Sequence, residues 1–273
     1  MGSYKSLSKK FLIKKAIEFG YDEDNILVLE NREEDLKRLF PQTYRNIVGC
    51  AGHKADGRSA FEFAQDVVAS WVIEDYIRKS IVAETDLVVF SNGVDQDRKI
   101  LPNKRVNGTS DFEVMLKGMP ETKTKVELVC NYDNYWERNK KCDLRDFKYQ
   151  KLQKEKALML GIMFKGQSKF ILVDFANPPE AEYVEHHIHY GNKGVYSMSL
   201  QDEEFLVSKI QRFANKIKEK VYSRAITDSI KNSDLKSLTS ELKLPNLKSK
   251  YLSREKEEPK LQKRLLFCLY AII

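Results

Sequence analysis

The residues best suited to chemistry lie between Thr109 and Leu160. Asp111 opens the segment SDFEVMLKG, and Glu127 stands inside KVELVCNY, each with the alternation of a strand. A lysine-rich stretch follows, DLRDFKYQKLQKEKALML. Two carboxylates on neighbouring strands can hold one divalent cation, and a nearby lysine can stabilise charge developing on a phosphate. That is an apparatus for metal-assisted hydrolysis of a phosphodiester.

The elements that must position these groups are partly readable. Asp111 and Glu113 fall on one side of the first strand, with Phe112, Val114 and Leu116 on the other. A turn over 118–123 joins it to the second strand as an antiparallel hairpin. There Lys125, Glu127, Val129 and Asn131 share one face, and Val126, Leu128 and Cys130 the opposite one. A charge at Glu127 is costly unless it is paired or bound to metal, the alternative being a solvent-facing place on an edge strand. The spacing then predicts a helix over 143–160. Its inward sector holds Leu144, Phe147, Leu158 and Met159, yet Lys148, Lys151 and Glu155 project into the same sector. Either these lysines snorkel outward, or one reaches an anion held at the strand ends.

The rest of the chain reads as support. A helix is expected over 4–19 with Gly20 as its stop, a short strand over 26–30, and a helix over 33–40 ended by Pro41. A glycine-punctuated loop over 49–57 carries His53 and Lys54, with Arg58 just beyond. Ser59 and Glu62 form the S-x-x-E of a capping box, and Phe61, Ala64, Val68, Trp71 and Val72 give the following helix one apolar face. Strands are expected over 86–90 and 169–175, with a polar loop after the first that contains Asp95, Asp97, Arg98, Lys104 and Arg105. That loop lacks the ligand spacing of an EF-hand. His186, His187 and His189 have no cysteine nearby, and read as exposed strand residues rather than zinc ligands. Asp202 caps a helix expected to reach Tyr222, short helices broken at Pro245 fill 223–260, and RLLFCLYAII closes the chain as a buried strand or subunit contact.

Composition narrows the class. A chain of 273 residues makes one large domain, or one domain with an appendage. No apolar run reaches the roughly 20 residues that cross a bilayer, and the start, MGSYKSLSKKFLIKK, has no apolar signal-type core, so a cytoplasmic protein is expected. Four scattered cysteines without a CxxC pair fit reduced thiols. The net charge of +7 is unevenly placed: residues 206–273 hold 16 Lys and Arg against 7 Asp and Glu. This basic third faces a polyanion, or it is a solubilising face. No Walker A sequence or dinucleotide fingerprint is present, which argues against ATP-driven and redox roles.

The order helix, strand, strand, helix with acids at these points resembles the PD-(D/E)xK nuclease superfamily, type II restriction endonucleases in particular, over about 57–174. Gly57-Arg58 with Phe61-Glu62 is similar to its first-helix pattern, Asp111 to the acid of its second core strand, Glu127 to that of its third, and LRDFKYQKL to the helix that follows. The resemblance implies an α/β fold with a restriction-endonuclease-like core, a mixed central sheet flanked by helices. It divides the chain into a helical layer (1–56), a nuclease-like core (57–205) and a basic, mainly helical extension (206–273). It further implies Mg²⁺ at Asp111, Glu127 and Glu62, and sequence-specific cleavage of double-stranded DNA by a homodimer without a membrane. Backbone contacts are expected from Lys54, Arg58, Lys104, Arg105 and Arg145. The family's lysine two residues beyond the second acid is Val129 here, so Lys148 or Lys151 would supply the cation, with Lys125 a poorer candidate. A repair or junction-resolving nuclease, or a non-cleaving DNA-binding protein on the same scaffold, are the alternatives.

Overall fold

The computed structural model describes residues 9–50, 59–92, 97–100, 110–131, 135–163, 169–200, 205–207 and 210–232. It is a mixed α/β structure. The chain divides into two compact units, 1–218 and 219–273. The described part of the second unit, 219–232, is helical.

Four short helices come first: α1 (Lys9–Glu18), α2 (Glu23–Glu30), α3 (Glu33–Leu39) and α4 (Pro41–Gly49). The expected strand over 26–30 is instead the second half of α2. Glu23 and Asp24 at its first turn favour a helix start, and Asn31 closes it in the left-handed region at φ 62°. A five-residue apolar run has no period of its own that would separate helix from strand. Helix α5 (Ala60–Glu84) carries the full capping box at Ser59 and Glu62 and buries the stripe from Phe61 to Ile81. Helices α1, α2 and α4 pack on α5, and Gln65 ties α2 to it by donating to Val28 O and Asn31 Oδ1.

A six-stranded sheet follows in the order β1 (Leu87–Ser91), β2 (Phe112–Leu116), β3 (Met119–Asn131), β5 (Leu158–Met163), β6 (Lys169–Asp174), β9 (Phe205–Val207). It is mixed: β3 and β5 run parallel and the other neighbours antiparallel. The β2–β3 turn is shorter than expected. Leu116 pairs with Met119, and Gly118, the second of the two loop residues, takes a positive φ of 79° that glycine adopts without strain. A three-stranded antiparallel sheet, β4 (Lys141–Arg145), β8 (Lys193–Ser199), β7 (Ala181–His187), lies apart from it in hydrogen bonding.

The expected helix over 143–160 is corrected into three elements. Residues up to Arg145 are β4, paired with β8; α7 is Asp146–Glu155; and β5 begins at Leu158. Lys156 at φ 49° stops α7, with its N–H donating to Gln153 O and Leu152 O. From Ala157 the run is wholly buried, as a central strand must be. Phe147, expected inward, is 68 % exposed. The helix expected from Asp202 begins only at Ile210 and runs as α8 (Ile210–Asn232); Phe205–Val207 is an edge strand on β6, and 201–204 lie outside the described residues. Pro245 and the closing RLLFCLYAII lie outside them too.

The face of the large sheet that carries Val129, Met159 and Ile171 packs on α6 (Tyr135–Asn139), α7 and the small sheet. Trp136, Cys142, Leu144, Leu152, Met159 and Phe175 form one buried cluster there. Gly161 lies beneath the Trp136 ring; a Cβ at that place would come 2.8 Å from Cζ3. Val129, Gly161 and Ile171 are register partners across three strands, so Val129 borders an apolar wall.

Candidate functional site

The register of β2 on β3 decides how the two acids meet. Phe112 pairs with Val126 and Glu113 with Lys125, so Asp111, one residue before β2, stands opposite Glu127 on the same face. The ladder ends there because the Asp111 side chain takes the next donor: Leu128 N–H donates to Oδ2 at 2.6 Å. Glu127 is buried to 7 % exposure, and Asp111 is half-buried as a residue with its carboxyl turned into the protein.

Helix α7 brings the cations. Lys148 Nζ lies 2.8 Å from Glu127 Oε1, and Lys151 Nζ 2.9 Å from Oε2. One turn further, Glu155 meets Lys125 at 3.1 Å, and Lys123 pairs with Glu113 beyond it. The spacing 148, 151, 155 is one helical face, and it lies over the charged face of β3. Of the two outcomes foreseen for these lysines, the structure has both on the strand carboxylate.

Asp111 is the electrostatic anomaly. Burial and then the Glu127 charge push its carboxyl up to about 7, against the Leu128 N–H and the Lys148 charge, while Glu74 adds to the rise. Sequence reasoning chose Glu62 as the helix acid, and the structure has it in the capping box that the S-x-x-E pattern also announced. Glu62 Oε2 accepts from Ser59 N and Oγ at 3.1 Å each, at the capped start of α5. Glu74, twelve residues on and about 18 Å along the helix, is the acid of α5 whose charge reaches Asp111. The signal for Glu74 was present as Glu74-Asp75 inside an otherwise apolar helix face. Burial pushes Glu74 up as well, and Arg98, 3.1 Å away, opposes that.

Of the expected DNA contacts, Arg145 sits exposed at the end of β4, at the start of α7. Lys54, Arg58, Lys104 and Arg105 lie outside the described residues. A second buried acid went unnoticed: Asp143, at 1 % exposure, meets His187 Nε2 at 3.1 Å, while Tyr190 donates to the Asp143 backbone O at 2.8 Å. His187 is thus a partner of Asp143 rather than an exposed strand residue, and His186 is exposed.

Among the described residues no group of three His, Cys, Asp or Glu is arranged to hold a metal ion. Asp111 and Glu127 still suit a small hard dication. Mg²⁺ is commonly held by one or two carboxylates, with water and substrate phosphate completing the shell. Burial, and after it the Glu127 charge, disfavour ionised Asp111, and a dication between the two carboxylates would favour that ionised form. No known protein family, characterised protein or solved structure matches this chain. Among the described residues no helix is long and apolar enough to cross a membrane.

Proposed function

We propose that this chain is a Mg²⁺-dependent endonuclease for double-stranded DNA of the restriction type, built on a restriction-endonuclease-like core. The observation that carries this is the Asp111–Glu127 pair: two carboxylates opposed across a hairpin, one lifted to about 7, the other held by two lysines. Asp111 and Glu127 would hold the ion, and Glu74 would add field without needing to coordinate. When bound, Mg²⁺ polarises a phosphate oxygen and lowers the pKa of an attacking water. Lys148 and Lys151 supply the positive charge that the family places at Val129. They orient Glu127 and stabilise negative charge on the phosphate as it grows. The exposed Arg145 and the basic residues of 206–273 serve the phosphate backbone, with affinity that falls steeply with salt. A two-fold DNA site favours a homodimer, and a cytoplasmic location suits such an enzyme.

One specific observation favours a second reading, a non-cleaving DNA-binding protein on this scaffold: Val129 packs against the apolar cluster, where the family has its lysine. Plasmid and phage DNA incubated with the full chain and Mg²⁺ separate the two. Discrete fragments are expected from the wild type, and Asp111→Ala is expected to cut about 10² to 10³ times more slowly, since metal assistance is worth several kcal/mol. Cutting confined to branched junctions would point to a resolving nuclease. Intact DNA with the wild type would overturn the cleavage assignment in favour of the binding protein.

A further inference from the structure

Glu127 carries an ammonium on each oxygen, Lys148 on Oε1 and Lys151 on Oε2, whereas Asp111, facing it, receives a backbone N–H at Oδ2. The two lysines are not equivalent. Lys148 lies one turn nearer the start of α7, and its charge acts on Asp111 as well as on Glu127. Lys151 bonds Glu127 from the side of the Lys125–Glu155 pair, where Lys125 is opposite Glu113, whereas Lys148 stands at the end of the face where Asp111 takes the Leu128 N–H. An ammonium is a compact point charge with three donors, able to sit between two carboxylates but offsetting only one of their two charges, where a small dication offsets both. Its hold is exchangeable, because it lacks the planar fork that fixes a guanidinium on a carboxylate. The Lys148 side chain is also 27 % exposed, so its flexible stem has solvent to move into.

We propose that Lys148 is a built-in counter-ion of the Asp111–Glu127 pair, one that a divalent cation must displace in order to bind there, while Lys151 stays on Oε2 as the positioning residue of Glu127. The identity of the competing ion as Mg²⁺ rests on the nuclease reading; the displacement itself concerns cation binding without DNA. Two consequences follow. Cation affinity is set partly by the strength of the Lys148–Glu127 contact, and binding an ion frees one positive charge at the edge of the site.

Mn²⁺ binding to the full chain, followed by electron paramagnetic resonance without DNA, is the first measurement. Lys148→Met is expected to bind Mn²⁺ about tenfold more tightly than the wild type or better, a modest effect for removing one unit charge at this range. Lys148→Arg keeps the charge and should not tighten. Lys151→Met should tighten several-fold less than Lys148→Met. The second measurement needs no variant: acetylation of lysine amines, read by mass spectrometry with and without Mg²⁺. Label at Lys148 should rise several-fold when Mg²⁺ is added, and label at Lys151 should not. Equal tightening in the two Met variants, no tightening in Lys148→Met, absence of Mn²⁺ binding in every variant, or Lys148 labelling indifferent to Mg²⁺ would each overturn the proposal. Cleavage of DNA by the wild type together with unchanged Mn²⁺ affinity in Lys148→Met defeats the displacement alone. Tightened Mn²⁺ binding with no cleavage of any DNA defeats the nuclease reading alone.

Discussion

Two clusters in this molecule each join two carboxylates to two cations, and they do so in opposite ways. In the first, Arg98 reaches Glu74 at 3.1 Å and Asp75 at 2.5 Å, while Arg78 lies 3.6 and 3.4 Å from the same two acids. Tyr21 donates to Asp75 Oδ2 at 2.7 Å. Both cations there are guanidinium groups shared between both acids. In the second, both ammonium groups rest on Glu127, and Asp111 has a backbone N–H at Oδ2. The titration behaviour follows. Burial lowers the Arg98 pKa, but Glu74 and Asp75 overcome that and raise it, so the guanidinium is held in its charged form, while burial pushes the Glu74 carboxyl up against it. Burial and Glu127 raise Asp111 into the physiological range. Even sharing through forked cations makes a brace; uneven sharing through point charges makes a place where a further cation is welcome.

The sharpest way to break that contrast is to remove the brace. Arg98→Ala strips two nearly buried acids of their shared partner and should cost about 3 kcal/mol of unfolding free energy. Arg98→Lys should recover part of this, since a single ammonium cannot fork across Glu74 and Asp75. Urea unfolding of the three proteins checks it, and equal midpoints would show that the cluster is not a brace at all. Arg98 O also accepts from Asn25 Nδ2 at 3.1 Å, so the loss of the guanidinium should loosen α2.

The next effect is smaller and tests the apolar wall beside the site. Val129→Lys places a lysine where the proposed nuclease reading would have one. The new side chain would start from a half-buried place against the apolar cluster, beside Gly161, and should destabilise by about 2 kcal/mol, within the range for imperfectly satisfied polar burial. On the proposed nuclease reading DNA cleavage should not rise, because Lys148 and Lys151 would already supply the cation. A faster Val129→Lys enzyme of unchanged stability would show that position 129 opens onto the site after all.

How much of this was legible depended on the range of the interactions. Glu127 was marked by being a charge in an apolar strand, and the hairpin by its alternation and Gly118. The stripe Lys148, Lys151, Glu155 was readable as one helical face although the helix was drawn far too long. What hid β4 was its partner: Arg145 pairs with Val195, fifty residues away, and nothing local distinguishes DLR from a helix start. β5 was absorbed into the same helix because a buried central strand is a continuous apolar run without a period. Glu62 drew attention through its capping box, a local signal, while Glu74 gains its meaning from Asp111 and Arg98, which only the tertiary fold brings near. The chemistry-bearing residues were thus visible as types. The registers that assemble them were not.

The smallest expected effect isolates the uneven sharing itself. In an unfolded chain an aspartate titrates near 3.9, and in this fold Asp111 titrates at about 7. Between those values the folded state holds a proton that the unfolded chain has lost. The stabilisation from this group is therefore complete below about pH 4 and disappears as pH rises through about 7. Asp111→Asn keeps an acceptor for Leu128 N–H and removes the titration. Relative to the wild type it should gain on the order of 1 to 2 kcal/mol between pH 5 and pH 8, less than the full linkage because Glu127 and Lys148 readjust. Thermal unfolding of both proteins across that window gives the difference directly, free of all groups they have in common. Parallel curves would mean that Asp111 is an ordinary ionised carboxylate. Saturating Mg²⁺ should shrink the gain from asparagine at pH 8, since a bound dication stabilises only the form that keeps its charge.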